Sequence, residues 1–409
     1  MTGLQGGAAS KKSGPASERA VSILAAARRL SDRAQDFLTR LVAMETPSDQ
    51  PATMAPAFDL LGAELESIGM RGRVHSGGGS GGMLLAHRPA GRGLPRQLLI
   101  GHCDTVWPVG TLEEMPIERR DGALHGPGIF DMKCGLTQGI FALRLLGELG
   151  IEPAVEPVFF INSDEEVGSR DSYRWLVRLA RLADRAFVLE PSLSPDGRLK
   201  TARKGVAQYE IRVRGRAAHA GLNPEQGISA ILELSHLVQQ LFALNDPDRG
   251  VSVNVGTIDG GLRPNVIAPE SRATIDVRVP TQADAARIDA AIRGLEPTRS
   301  GVTIEITGTE GRAPLEPTNL GRRLWHAAQR HADALAMPLQ EGRAGGGSDG
   351  NITNLYTPTL DGLGAVGDGA HASHEHVIVD AIAERMALLA MLLLDPPVGL
   401  LPDASEAEP

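Results

Sequence analysis

The residues best suited to chemistry lie where apolar runs stop. Gln97 to Ile100 leads into Gly101-His102-Cys103-Asp104, and Pro157 to Ile161 leads into Asn162-Ser163-Asp164-Glu165-Glu166. The run Arg185 to Leu189 ends at Glu190, and a loop between the first two runs carries Asp131 in "HGPGIFDMKCG". Imidazole and carboxylate groups in this combination are divalent-metal donors and need no thiolate among them. Three consecutive acids repel one another, yet beside divalent cations they become tolerable at a buried strand end. Residues leaving a strand point to opposite sides. One of Glu165 and Glu166 can therefore bind metal while the other faces substrate as a general base. A run of acids alone also suits a solvated loop; His102 and Asp131 tip the reading toward metal.

The histidines divide. "HASHEHV" (His371 to Val377) offers three imidazoles, of which His374 and His376 also suit plain surface positions. His219, in "RAAHAGLNPEQG", lies away from the strand ends and by residue type alone reads as a loop histidine.

Elements that position these residues follow from periodicity. Residues 18 to 69 repeat apolar positions at helical spacing. The run "SGGGSGG" (Ser76 to Gly82) reads as a flexible hairpin loop between two short strands. Strands at 97–100, 157–161 and 185–190 alternate with helices at 135–150 and 172–182. Near-continuous apolar strands in that alternation imply an α/β sheet covered on both faces, with ligands at the carboxyl ends of its strands. From Gly205 the texture changes. "VAQYEIRVRG" alternates at period two, as a half-exposed strand does. A helix at 228–244, strands at 251–258 and 273–279, a helix at 283–295 and a strand at 302–308 follow. That order, βαββαβ, is a split βαβ unit. Helices at 320–336 and 380–394 then resume the first pattern, so the second domain reads as an insertion. The "YEIRVRG" strand offers an edge for pairing with a second copy.

Composition bounds the rest. The chain has 409 residues, 42% of them hydrophobic but only 3% aromatic, so its core is aliphatic. A net charge of −9 argues against nucleic-acid and anionic-membrane partners. Two cysteines, Cys103 and Cys134, are too few for a disulfide framework and fit a reducing compartment. "VSILAAA" (Val21 to Ala27) is too short to span a membrane. With no secretory signal evident, a cytoplasmic location is expected.

Taken in order, "GHCDTV", "GPGIFDMKCG", "NSDEEVGS", "LEPS", "RAAHAGLNPEQG", "GGLRPNVIAPE", "RAGGGSDGN" and "HASHEHV" resemble the co-catalytic di-zinc exopeptidases and deacylases. The likeness runs from about Asp36 to Leu394. It is greatest to bacterial glutamate carboxypeptidase, with succinyl-diaminopimelate desuccinylase and aminoacylase also similar. The resemblance implies a three-layer α/β catalytic domain (18–204 and 313–396) with an inserted ferredoxin-like α+β lid and dimerisation domain (205–312). A disordered N-terminus (1–17) and a flexible tail (397–409) are expected to flank them.

Carried over by motif, His102, Asp131 and Glu190 would hold one divalent ion. Asp131, Glu166 and His371 would hold a second, so Asp131 bridges. Zinc is the first expectation, with cobalt or manganese as alternatives. Three carboxylates offset most of the charge of two such ions, which lowers the cost of burying them. Asp104 would orient His102, and Glu165 would be the general base. His219 would come from the other subunit of a homodimer to the reacting carbonyl. Asn265, Arg278 and the Gly346-Gly347-Ser348 turn would receive a substrate carboxylate, with Arg312 as a further candidate.

Some positions depart from the family pattern. Pro127 stands where arginine is common, Cys134 replaces a smaller residue, and Cys103 separates His102 from Asp104. Thiols this close to the donors invite a ligand reading, but the His/Asp/Glu set is already complete. Glu190, where the carbamoyl-hydrolysing branch has histidine, speaks against that branch. Trp107 suits either the pocket wall or the core. The implied reaction is metal-dependent hydrolysis of an amide beside a free amino-acid carboxylate, by a carboxypeptidase or an N-acyl-amino-acid deacylase. A dipeptidase and a catalytically silent metal-bound protein are the alternatives.

Overall fold

The computed structural model describes residues 15–88, 93–193, 195–308 and 311–402. Of the two expected flanking segments, residues 1–14 and 403–409 lie outside the described residues. Residues 15–17 open the helix Pro15–Val42, and Val398 and Leu401 are buried in the core. The chain divides into two compact units. The first comprises Met1–Leu199, Asn319–Glu341 and Thr357–Pro409; the second comprises Lys200–Thr318 and Gly342–Tyr356.

The first unit is built on a six-stranded mixed sheet. Its spatial order is Arg71–His75, Met83–His87, Glu156–Asn162, Arg96–His102, Arg185–Val188 and Thr359–Leu360. The last four run parallel, and Met83–His87 is antiparallel to both its neighbours. Leu99, Phe159 and Phe187 join a core shared with the helices Pro15–Val42, Cys134–Glu148 and Val379–Leu394. Leu98, Phe160 and Val188, which alternate with them, are also buried. Both faces of the sheet are thus covered, and for that reason the strands read as unbroken apolar runs. Arg185 ties the last helix to the sheet. Its buried guanidinium donates to the Leu392 and Asp395 carbonyls, where the helix leaves its own acceptors unsatisfied.

The loop Ser76 to Gly82 does connect an antiparallel pair, Arg71–His75 with Met83–His87. It is pinned rather than loose. The Asp171 carboxylate accepts the Gly79 and Ser80 N–H groups at 2.7 and 2.8 Å. Gly82 closes the loop at φ +99°, where a Cβ would come within 2.4 Å of the His75 carbonyl.

Two registers assemble the site. His102 pairs with Asn162, so the residues after each strand emerge side by side. The Leu189 N–H donates to the Ile100 carbonyl at 2.9 Å, bringing Glu190 to the same end. A small antiparallel sheet pairs His376–Ile378 with Ala123–His125, which seats "HASHEHV" against the loop that carries Asp131.

The second unit carries a four-stranded antiparallel sheet in the order Ser252–Gly260, Glu270–Val279, Gly205–Arg214 and Thr303–Gly308. The helices Ala230–Phe242 and Gln282–Arg293 complete the chain order β-α-β-β-α-β. Tyr209, Ile211 and Val213 alternate inward with Ile275 and Val277 around one core. The expected edge strand is corrected here. Gly205–Arg214, which contains "YEIRVR", is paired on both sides, with Glu270–Val279 and with Thr303–Gly308. Its polar alternation reflects a sheet with one solvated face, not a free edge. Ser252–Gly260 and Thr303–Gly308 are the edges.

Candidate metal centre

His102 ends its strand fully buried, with its ring set by Asp104. The His102 Nδ1 is 3.0 Å from the Asp104 carbonyl oxygen and 3.4 Å from Oδ1. These acceptors orient the ring, so that Nε2 points into the cluster. Nε2 lies 3.3 Å from Asp131 Oδ1 and 3.6 Å from Glu190 Oε1. Asp131 leaves helical geometry (φ −115°, ψ 96°) just before the helix Cys134–Glu148. Its other oxygen, Oδ2, is 3.6 Å from His371 Nε2. His371 Nε2 is in turn 3.2 Å from the Glu166 carboxylate. His371 holds a left-handed φ of 60°, rare outside glycine.

The acidic run divides its labour. Asp164 accepts the N–H groups of Asp171 and Ser172 at 2.8 and 3.2 Å and so closes the following turn. Glu166 joins His102 and Asp131 in one cluster of converging donor atoms. Glu165 converges with His102 and Glu190 in another. Asp104 holds the backbone of both glutamates, accepting their N–H groups at 3.4 and 3.3 Å, and takes the Ser48 hydroxyl at 2.7 Å.

The electrostatics of the cluster favour positive charge. Burial pulls the His102 pKa down, but the carboxylates of Asp104, Asp131 and Glu190 overcome it and carry it well above the ordinary histidine value. The hydrogen bond that His371 donates to the Glu166 carboxylate, against burial, brings His371 up to about 9. Burial raises Glu166 itself. Carboxylates this close stabilise any positive charge among them. Two atoms at the centre of the cluster, His102 Nε2 and Asp131 Oδ1, are buried without a hydrogen bond. Orphaned buried polar atoms of this kind are rare unless an ion completes them. The donor set of nitrogen and carboxylate oxygen fits a divalent metal ion.

Other sequence candidates resolve individually. Cys103 and Cys134 are buried thiols outside the cluster, with burial pushing Cys103 up to about 12 and Cys134 higher still. His376 stacks on His125 with ring centroids 5.1 Å apart, leaving His371 as the imidazole of that segment in the centre. Trp107 serves neither expected role alone; its indole N–H donates to Glu375 at 2.7 Å. Glu375 itself escaped sequence reasoning. Its carboxylate is buried, which raises its pKa, and is held by backbone N–H groups of Gly128, Asp131 and Phe130. No local pattern signals it, because its partners are distant in sequence.

The remaining candidates belong to the second unit. His219 is exposed, and its Nδ1 accepts the N–H groups of Gly221 and Leu222, both at 3.1 Å. The ring proton is therefore on Nε2, free to donate. Ala220 N–H donates to the Asn265 carbonyl at 3.0 Å, so the His219 and Asn265 loops are neighbours. Arg278 forms a two-pronged pair with Asp276 at 2.8 and 3.0 Å, so its guanidinium is engaged there. Ser348 caps the turn Asp349–Thr353, and its own N–H donates to Asn351. The Gly346 and Gly347 carbonyls accept from Arg203. Arg312 lies 3.7 Å from Asp349.

A mixed α/β sheet whose parallel strand ends gather imidazole and carboxylate donors defines a metal-dependent hydrolase centre. Residues 98–395 match the Peptidase family M20/M25/M40, and the chain belongs to that family of metallopeptidases and amidohydrolases. It is 30% identical over 367 residues to carboxypeptidase G2 of Pseudomonas sp. (strain RS-16), covering 88% of each chain. It is 27% identical to acetylornithine deacetylase of Myxococcus xanthus, over 86% of this chain and 94% of that one. Among solved structures, aminopeptidase PepT from Bacillus cereus shares the fold with a TM-score of 0.74 at 21% identity, over 90% of this chain and 99% of that one. Among the described residues, no helix is long and apolar enough to cross a membrane.

Proposed function

We propose that the protein hydrolyses an amide bond next to a free amino-acid carboxylate, as a carboxypeptidase or N-acyl-amino-acid deacylase using two divalent ions, zinc first. The observation that carries this reading is the placement of Asp131. One of its oxygens faces His102 at 3.3 Å and the other faces His371 at 3.6 Å, the arrangement a bridging carboxylate needs. His102, Asp131 and Glu190 would hold one ion, and Asp131, Glu166 and His371 the other. When bound, such ions polarise the scissile carbonyl and make water a stronger acid. Glu165 takes the water's proton and passes it to the leaving nitrogen. Asp104 orients the His102 ring. Both similar curated relatives named above act by name on peptide or acyl-amino-acid substrates, which supports the substrate class.

His219 donates its Nε2–H to the developing oxyanion of the partner subunit's site, in a homodimer built through the second unit as lid. Supporting this is the edge strand Ser252–Gly260, which carries Ile258 at 61% exposure and is followed by Leu262 at 71%. An exposed strand edge of that kind invites pairing. Asn265, Arg278 and the turn Gly346-Gly347-Ser348 receive the substrate carboxylate, with Arg278 exchanging Asp276 for it. Elemental analysis of the purified chain and turnover on a panel of N-acyl amino acids and dipeptides test the reading. A metal-free chain, or a metal-loaded one inert on the whole panel, would overturn it; cleavage of dipeptides alone would favour a dipeptidase.

A further inference from the structure

We propose that Glu375 is the positioning residue of the metal centre, templating the Gly128–Asp131 turn and fixing it against His371. The inference rests on the metal reading above. Glu375 is 1% exposed. Its Oε1 accepts the N–H groups of Phe130 at 2.9 Å and Asp131 at 3.1 Å. Its Oε2 accepts the N–H of Gly128 at 2.9 Å and the indole N–H of Trp107 at 2.7 Å. Its own carbonyl takes the Gly126 N–H at 3.4 Å.

The turn needs such a partner. Gly126 and Gly128 have φ of 157° and 70°, and Asp131 is extended, so this backbone belongs to no regular ladder. Its N–H groups point inward and would be orphaned without an acceptor. One carboxylate, with two oxygens that each take a pair of donors, satisfies them together. Because Asp131 N–H is one of them, the position of the Asp131 donor is set directly by Glu375. Four residues earlier on the same segment lies His371, within 3.6 Å of Asp131. Glu375 therefore couples two metal donors that are far apart in sequence.

The chemistry requires the acid. Glutamine has one oxygen, so in either orientation its NH₂ group would face two N–H donors. Groups that orient metal ligands typically carry 10–100-fold of metal affinity.

The experiment titrates the metal-free full chain with Zn²⁺ by calorimetry, for wild type, Glu375→Gln, Asp131→Ala, the double variant and Trp107→Phe, with folding checked by circular dichroism. Glu375→Gln should bind Zn²⁺ about 10–100-fold more weakly. In the Asp131→Ala background the same change should add little, because Glu375 acts through Asp131. A folded Glu375→Gln with wild-type affinity, or one whose loss adds fully to that of Asp131→Ala, overturns the proposal. If Glu375→Gln does not fold, Trp107→Phe decides: a severalfold loss of affinity supports the template, and wild-type affinity in the folded variant overturns it. Absence of Zn²⁺ uptake by the wild type would instead sink the metal reading, and this inference with it.

Discussion

Asp104 grips His102 from two atoms, its Oδ1 at 3.4 Å and its main-chain carbonyl at 3.0 Å from Nδ1. The same side chain holds the Glu165 and Glu166 backbone. One buried residue thus orients the His102 ring and holds the backbone of two acids. Asp104→Asn should lower metal affinity and turnover together by about 10–100-fold, since an amide cannot accept at both positions. Zn²⁺ titration and initial rates measure it. Loss of turnover with intact metal affinity would mean Asp104 acts on Glu165 alone.

Adjacent glutamates should fail differently. Glu165→Gln should retain metal and fold while losing about two to four orders of magnitude in kcat, the usual worth of a general base. Glu166→Gln, which removes the carboxylate 3.2 Å from His371, should weaken metal binding. Metal content and kcat are measured on both variants. Because Glu165 also converges with His102 and Glu190, the experiment has a sharp alternative. Equal metal loss in both variants would make Glu165 a ligand as well.

Much of this centre was legible because strand ends are. Apolar runs locate His102, Glu166 and Glu190, and parallel pairing puts such ends together. What stayed hidden was whatever depends on partners far along the chain. Glu375 sits in a histidine-rich loop, and its side-chain partners lie 244 to 268 residues away. The "YEIRVRG" strand failed for a related reason: alternation reports which faces are wet, and says nothing about lateral neighbours. The Gly-rich hairpin loop read as loose because its anchor, Asp171, belongs to another segment.

That anchor has a pH signature. The N–H groups of Gly79 and Ser80 hold the Asp171 carboxyl below its ordinary pKa of 3.8, against a smaller effect of burial. A depressed folded-state pKa stabilises above the unfolded value and stops doing so as pH falls through the folded one. Asp171→Ala should cost about 1 kcal/mol at neutral pH. Denaturant unfolding at descending pH should show the gap between wild type and variant closing below the ordinary aspartate value. A gap constant into strong acid would show that the loss is one of packing, not of the charged hydrogen bonds.

Completion of the site across a dimer makes the most demanding prediction. His219 presents a free Nε2–H because its Nδ1 is occupied by backbone donors, and it belongs to the second unit while every proposed metal ligand belongs to the first. Mixing an inactive His219→Ala chain with an inactive Glu165→Gln chain tests which subunit it serves. If His219 acts in trans, each mixed dimer has one site with both lesions and one with neither. Statistical exchange makes half of the dimers mixed, so activity should return to about a quarter of wild type. The exchange itself is followed by a tag on one chain and mass measurement of the mixed species. A second variant, Ile258→Lys on the exposed edge strand, should abolish recovery by blocking association while leaving the metal content of each chain unchanged. Full exchange without recovery would place His219 in the service of its own subunit or outside the reaction.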